Sequence, residues 1–174
     1  MIEPLRTTWT ALYSRAGIVY LGAVIGYLAL FSLLRLRITL FSVVVFPGTL
    51  FHELSHWAAG VLFGGRPKGL RLWPRRSGAQ MILGSVECTN LRWYNGVFIG
   101  LAPMALLPIA LTLMTWSIDV APEPRASEAG WAYLVACMAY ASIPSRQDLR
   151  IVATSRWMLI SAIALAGLVW VQFR

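Results

Sequence analysis

Long apolar runs separated by short basic or polar links dominate the hydrophobic pattern of the chain. A helix needs about 20 mainly apolar residues to cross the roughly 30 Å hydrocarbon core of a bilayer. The pattern therefore predicts an all-α polytopic membrane protein with about five transmembrane helices. The predicted spans lie at about residues 17–34, 38–63, 94–116, 129–145 and 151–173.

One polar insert, residues 64–93, separates the second and third apolar runs. Within it, residues 68–73 and 81–86 alternate imperfectly around a break at 74–78, which predicts a small cytosolic β-hairpin. An exposed strand edge could pair with an extended substrate, and the arginines could equally anchor the insert at lipid headgroups. With no room left for a soluble domain, residues 1–174 are predicted to form a single membrane-embedded domain.

The composition limits the class of protein and orients it. The chain is 58% hydrophobic and 13% charged, with a mean hydropathy of +0.66, which is not typical of a water-soluble globule. Most basic residues lie in links that would share one side with the N-terminus, and the acidic loop at 117–128 lies on the other. Because cytoplasmic loops carry excess Lys and Arg, we predict a cytosolic N-terminus. As a separate expectation, the membrane is a bacterial cytoplasmic membrane. The arginines form no continuous basic face with stacking aromatics, so we expect no nucleic-acid partner.

The second predicted span carries the sequence His52-Glu53-Leu54-Ser55-His56. Histidines four residues apart share one helix face and can bind one metal ion. Ionisable groups at membrane depth cost at least a few kcal/mol, and zinc would compensate that cost. Two imidazoles and one carboxylate leave the fourth tetrahedral position of Zn²⁺ for water. Glu53 would then serve as general base and acid towards this zinc-activated water.

The third zinc ligand cannot be a histidine, because the chain has only two. Asp148 lies on the expected side and follows Pro144, which should break the fourth helix and let the chain unwind towards the metal. It could instead be a solvated charge between two arginines. Glu87 in the polar insert is the other candidate.

The third span begins with residues that suit close packing or substrate contact. Gly96 and Gly100 would let this span approach the zinc helix closely. Asn95 just before them could bind an extended substrate or stabilise an oxyanion, or it could be an amide at headgroup level.

Across about residues 38 to 150, the chain resembles the site-2 protease family of intramembrane zinc metalloproteases. The resemblance rests on three segments: His52-Glu53-Leu54-Ser55-His56, Gly100-Leu101-Ala102-Pro103, and Ser142-Ile143-Pro144-Ser145 leading to Asp148. Many members have glycine after the aspartate and an asparagine-proline pair before it, whereas this chain has Leu149 and the pair Ser142 and Pro144.

The resemblance implies His52, His56 and Asp148 as zinc ligands and Glu53 as the catalytic residue. It also implies a three-helix core that cuts transmembrane segments near the cytosolic face, here in a compact form without a regulatory domain. The function we expect is that of an intramembrane zinc metalloendopeptidase acting in regulated proteolysis or signalling. Its expected partners are a transmembrane protein substrate, the lipid bilayer and a regulatory membrane partner. The alternative is a non-catalytic zinc-binding membrane adaptor subunit.

Overall fold

The computed structural model describes residues 13–77, 80–120, 128–155 and 157–172. The described chain is mostly helical, with two short antiparallel ladders. The helices are α1 (Arg15–Leu34), α2 (Ile38–Val44), α3 (Phe46–Leu62), α4 (Gly96–Leu101), α5 (Leu106–Val120), α6 (Glu128–Ala141), α7 (Arg146–Thr154) and α8 (Trp157–Gln172), with a 3-10 helix at Ala102–Ala105. The strands are β1 (Pro67–Arg71), β2 (Arg75–Ser77), β3 (Gln80–Ile82) and β4 (Ser85–Cys88).

Two described stretches are long and apolar enough to cross a membrane, α1 and the combined helix Gly96–Ile118. The pair α2 and α3 would count as a third, bent by 66°. Helices α6 and α8 have 14 and 16 residues, fewer than the roughly 20 that a straight span needs. The structure thus supports a membrane protein, and the arrangement of five spans stays a prediction.

Helix α6 lies at the centre of the helical bundle and packs against α1, α3 and α5. Small residues allow the closest approach: a Cβ added to Gly48 of α3 would lie 2.6 Å from the Cys137 carbonyl oxygen of α6. Such small-residue contacts are typical of packed membrane helices. The large buried side chains around α6 are Tyr20, Val24, Phe31, Phe41, Leu106, Met114, Ile118, Val135 and Met138.

The outer faces of the helices are apolar and exposed. In α8 the exposed side chains include Ile163, Leu165 and Trp170, and in α1 they include Ile18 and Leu33. Contiguous apolar surface of this kind marks a membrane or partner interface rather than a surface in water. Because two of the described helices are long enough to span a membrane, the lipid bilayer is the environment that fits these exposed apolar faces.

The polar insert forms one long, interrupted β-hairpin. Strand β1 pairs with β4 and strand β2 with β3, both antiparallel. The break expected at 74–78 is wrong in part, because 75–77 are paired in β2. The interruptions lie at 72–74 and at Leu83-Gly84, where Leu83 packs against the helical core.

Two segments used to predict the orientation lie outside the described residues. Residues 1–12 hold the N-terminus expected in the cytosol, and 121–127 hold most of the acidic loop expected opposite. The orientation therefore stays a prediction.

Candidate metal centre

Helix α3 presents the two histidines and Glu53 on adjacent faces. One helical turn separates His52 from His56, so both rings reach the same point and their Nε2 atoms lie 3.2 Å apart. Glu53 and His56 are each only 6% exposed. Three ionisable groups thus lie within about one turn of a helix whose other residues are mainly apolar.

Asp148 reaches the histidines from the first turn of α7. Its Oδ1 lies 3.1 Å from His56 Nε2 and its Oδ2 lies 3.4 Å from His52 Nε2. A capping box fixes the side chain: Ser145 Oγ accepts from the Asp148 N–H, and Asp148 Oδ2 accepts from the Ser145 N–H at 2.6 Å. Pro144 does separate two helices as expected, but Asp148 lies in a capped helix rather than in unwound chain.

Two glycines on α4 bring α7 close enough for this contact. A Cβ added to Gly100 would lie 2.7 Å from Val152 Cγ2 and 2.9 Å from the Asp148 carbonyl oxygen, both on α7. A Cβ at Gly96 would lie 3.4 Å from the Ile151 carbonyl oxygen. The third span does approach α3 as expected, but the atoms nearest to its two glycines belong to α7, the helix that carries Asp148, and to Ser155 directly after it.

Backbone carbonyls fix the tautomer of both histidines. His52 Nδ1–H donates to the Ala141 carbonyl and His56 Nδ1–H donates to the Ile99 carbonyl, each at 2.7 Å. Because a carbonyl oxygen only accepts, both Nδ1 atoms must carry the proton. Neutral rings then present bare Nε2 lone pairs towards each other and towards the carboxylate.

Prolines make these carbonyls available. Ala141 would bond Pro144 or Ser145 if the helix continued, but proline has no N–H and Ser145 donates to Asp148. Pro103 supplies no N–H to Ile99 four residues earlier, and the Ile99 carbonyl accepts from the Ala102 N–H as well as from His56. In metal sites generally, a hydrogen bond from the ring nitrogen that does not bind the metal orients the histidine in this way.

The donor set fits a tetrahedral metal ion. Facing lone pairs repel each other, and a cation at their centre makes the arrangement favourable. In a tetrahedral site with bonds near 2.0–2.1 Å, neighbouring ligand atoms lie about 3.3 Å apart, which is close to the 3.2 Å between the two Nε2 atoms. Each Nε2 also lies 3.1 or 3.4 Å from one oxygen of Asp148, Oδ1 for His56 and Oδ2 for His52. The structure thus has a His52, His56 and Asp148 group that could hold a metal ion.

Asp148 is buried and yet ionised. Burial opposes ionisation. In the metal-free protein, however, hydrogen bonds that His52 and His56 donate to Asp148 when their Nε2 atoms are also protonated, together with the hydrogen bond from Ser145, outweigh burial and hold the pKa of Asp148 well below its usual range. A deprotonated carboxylate is the form that binds a metal ion.

Glu53 borders a cavity of about 1120 Å³ that also exposes the three possible ligands. The hairpin segment Ile82–Thr89 forms one wall of this cavity, and the start of α7 lines it as well. Glu53 is close enough to both histidines and to Asp148 for electrostatic coupling. The site therefore combines three side chains that could bind an ion, a glutamate that can act as acid or base, and a cavity that both of them line.

Glu87, the other candidate ligand, is not part of this group. It lies on β4 at the cavity wall, and its carboxylate is 3.7 Å from Arg71 of β1, with both side chains 59% exposed. The structure places Asp148, and not Glu87, beside the histidines.

Asn95 lies apart from the ion-binding group. It is fully buried, its Oδ1 accepts from the Arg92 N–H, and its Nδ2 donates to the Phe63 and Asn90 carbonyls. These bonds tie the end of α3 to the start of α4, which is a structural use of the amide. Its predicted contact with substrate would require breaking them.

The sequence interpretation missed two functional features. The first is the pair of backbone carbonyls at Ile99 and Ala141 that bond the histidines. Pro103, four residues after Ile99, and Pro144, three residues after Ala141, indicate them in the sequence, because proline has no N–H to donate. The second is Gly84, which lies against Glu53. The dipeptide Leu83-Gly84 within an alternating strand was its signal, since an isolated strand glycine marks close approach of another group.

Comparison of the chain with protein-family models, with curated proteins and with solved structures finds no match. The function of the site therefore has to follow from its own residues.

Proposed function

We propose that this chain is an intramembrane zinc metalloendopeptidase of the site-2 protease type, which cleaves transmembrane segments of membrane proteins in regulated proteolysis. One observation carries the proposal: Nε2 of His52, Nε2 of His56 and the carboxylate of Asp148 lie together beside Glu53, close enough to bind one metal ion. Three protein ligands with an open position are typical of catalytic zinc, whereas structural zinc is closed by a fourth. The large cavity at the site supports catalytic rather than structural zinc.

The roles of the residues follow from their positions. His52, His56 and Asp148 would hold the zinc ion. When bound, zinc acts as a Lewis acid that polarises water and the scissile carbonyl. Glu53 would accept a proton from the attacking water and pass it to the leaving amine nitrogen. The two backbone carbonyls keep the imidazoles in the tautomer that presents Nε2.

The cavity wall supports a peptide in extended conformation as substrate. Strand β4 pairs with β1 alone among the described residues, so its other edge is available to an added strand. A transmembrane helix would have to unwind to use this edge, because its backbone groups are otherwise bonded internally. The proposal includes five spans with a cytosolic N-terminus, which places the site towards the cytosolic face.

The proposal is tested with Glu53→Gln, because the amide keeps the size of the side chain and removes the base. Zinc content of the purified full chain should stay at one ion, and cleavage should be lost. Since the substrate is unknown, we would compare membrane fractions of cells expressing wild type or Glu53→Gln by labelling new amino termini. Fragments that begin inside transmembrane segments should occur with wild type only.

Two other results would change the conclusion. Cleavage by Glu53→Gln at the wild-type rate would refute the mechanism. A protein that holds one zinc ion and co-purifies with membrane proteins, yet produces no fragments, would instead be the non-catalytic adaptor.

A further inference from the structure

The hairpin is interrupted at Leu83-Gly84, and there its backbone packs directly against the Glu53 side chain. Leu83 packs against the helical core, which anchors the hairpin in the bundle. At the next residue, a Cβ added to Gly84 would lie 2.6 Å from Cγ, 3.0 Å from Cδ and 2.8 Å from Oε1 of Glu53. Such distances are well below van der Waals contact, so only glycine fits here without moving Glu53 or the hairpin.

The hairpin has little freedom to move away. The base of the hairpin, at Pro67 and Cys88, packs on α3 at Gly60, seven residues after Glu53. A Cβ on Gly60 would lie 3.2 Å from Cys88 Sγ and 3.3 Å from Pro67 Cδ. Seven residues are about two turns, so both contact points lie on one side of α3. A hairpin held at Leu83 and at its base leaves the Glu53 side chain as the group that must shift.

We propose that Gly84 is a positioning residue for Glu53, a role that rests on the proposed function. The backbone at Gly84 limits the rotamers of Glu53 and keeps its carboxylate beside the histidines. A Cβ at position 84 would occupy that space and turn the carboxylate away from the attacking water. The three atoms nearest to the added Cβ all belong to Glu53, so the expected effect is on proton transfer and not on zinc binding.

The test compares Gly84→Ala with Gly69→Ala in the purified full chain, using a substrate found by the amino-terminal labelling. Gly69 lies on the same hairpin and an added Cβ there meets nothing within 4 Å. Gly84→Ala should lower kcat by about 10- to 100-fold, as misplacement by about an ångström does. KM and zinc affinity, the latter measured by chelator competition, should stay within about threefold of wild type, the scale of an uncoupled substitution. Gly69→Ala should match wild type in all three.

A double-mutant cycle on thermal unfolding separates positioning from general damage. Gly84→Ala should lower the unfolding midpoint by several degrees in wild type. It should have no such effect in Glu53→Ala, because the three atoms that the new Cβ would meet are then gone. An equal loss in both backgrounds would show that the effect does not pass through Glu53, and the inference would be wrong.

The inference and the proposed function fail in different ways. If Glu53→Gln is inactive and Gly84→Ala has wild-type kcat, the inference alone is overturned. If Glu53→Gln cleaves normally, the proposed function is overturned, and the positioning role of Gly84 with it.

Discussion

Replacing Gly100 with alanine should weaken zinc binding although Gly100 contacts no ligand atom of the candidate site. The new Cβ would lie 2.9 Å from the Asp148 carbonyl oxygen and 2.7 Å from Val152 Cγ2. The Val152 methyl group can rotate, but the carbonyl belongs to the backbone of α7. Helix α7 must therefore move, and Asp148 moves with it.

The size of the effect follows from these distances. Restoring ordinary contact requires a shift of about 0.5 Å or more, since optimal separations of heavy atoms begin near 3.5 Å. Ligand distances in a metal site tolerate deviations of only about 0.2 Å. Disturbing the support of a ligand lowers metal affinity by about 10- to 100-fold, or roughly 1.4 to 2.7 kcal/mol. We expect a loss within this range.

Zinc affinity would be measured by competition with a chromophoric chelator on the purified, detergent-solubilised chain. The matched control is Gly130→Ala on α6, where an added Cβ meets nothing within 4 Å. Because alanine favours a helix by up to about 1 kcal/mol over glycine, helix propensity alone would stabilise both variants. Wild-type zinc affinity in Gly100→Ala would refute the view that this glycine contact positions Asp148.

Three further outcomes are expected. Ser145→Ala removes half of the capping box and should destabilise the fold by about 1 kcal/mol, measured as a lower thermal midpoint; an unchanged midpoint would contradict the role of the cap. Glu87→Gln should leave zinc content unchanged, because its ion pair with Arg71 is exposed and lies on the hairpin; loss of zinc would return Glu87 to the ligand set. The pKa of Asp148 is lowered in the fold, so its ionised form stabilises the metal-free protein above about pH 4 and this contribution is lost as pH falls further. Midpoints recorded from neutral to acidic pH should therefore decline less steeply in Asp148→Asn than in wild type.

The residues of the candidate ion site could be predicted from the sequence because their signals are local or depend on simple position. His52 and His56 share a helix face by spacing alone. The position of Asp148 after Pro144 favours it over Glu87, and the structure places Asp148 beside both rings. The helical class and the antiparallel insert also followed from apolar run length and alternation.

Features that depend on which surfaces meet could not be predicted in this way. Gly100 indicated a close helix contact, but a glycine carries no information about its partner, and that partner is α7 rather than α3. Asn95 could be given a substrate role only because its three backbone partners, one of them 32 residues away at Phe63, were unknown. The paired strand at 75–77 was missed because arginines and serine have little strand propensity, and pairing with β3 overrides it.

Four helices meet at the candidate site, so a bound zinc ion would affect the stability of the whole bundle. The ligands come from α3 and α7, and the carbonyls that orient them come from α4 and α6. Any unfolded or loosened bundle loses several of these contacts at once, so an ion that binds only the assembled site stabilises all four helices together. At a free zinc concentration of 100 times Kd, this linkage amounts to about 2.7 kcal/mol. If the site binds zinc as proposed, metal supply would thus change the folded fraction of the protein in the membrane.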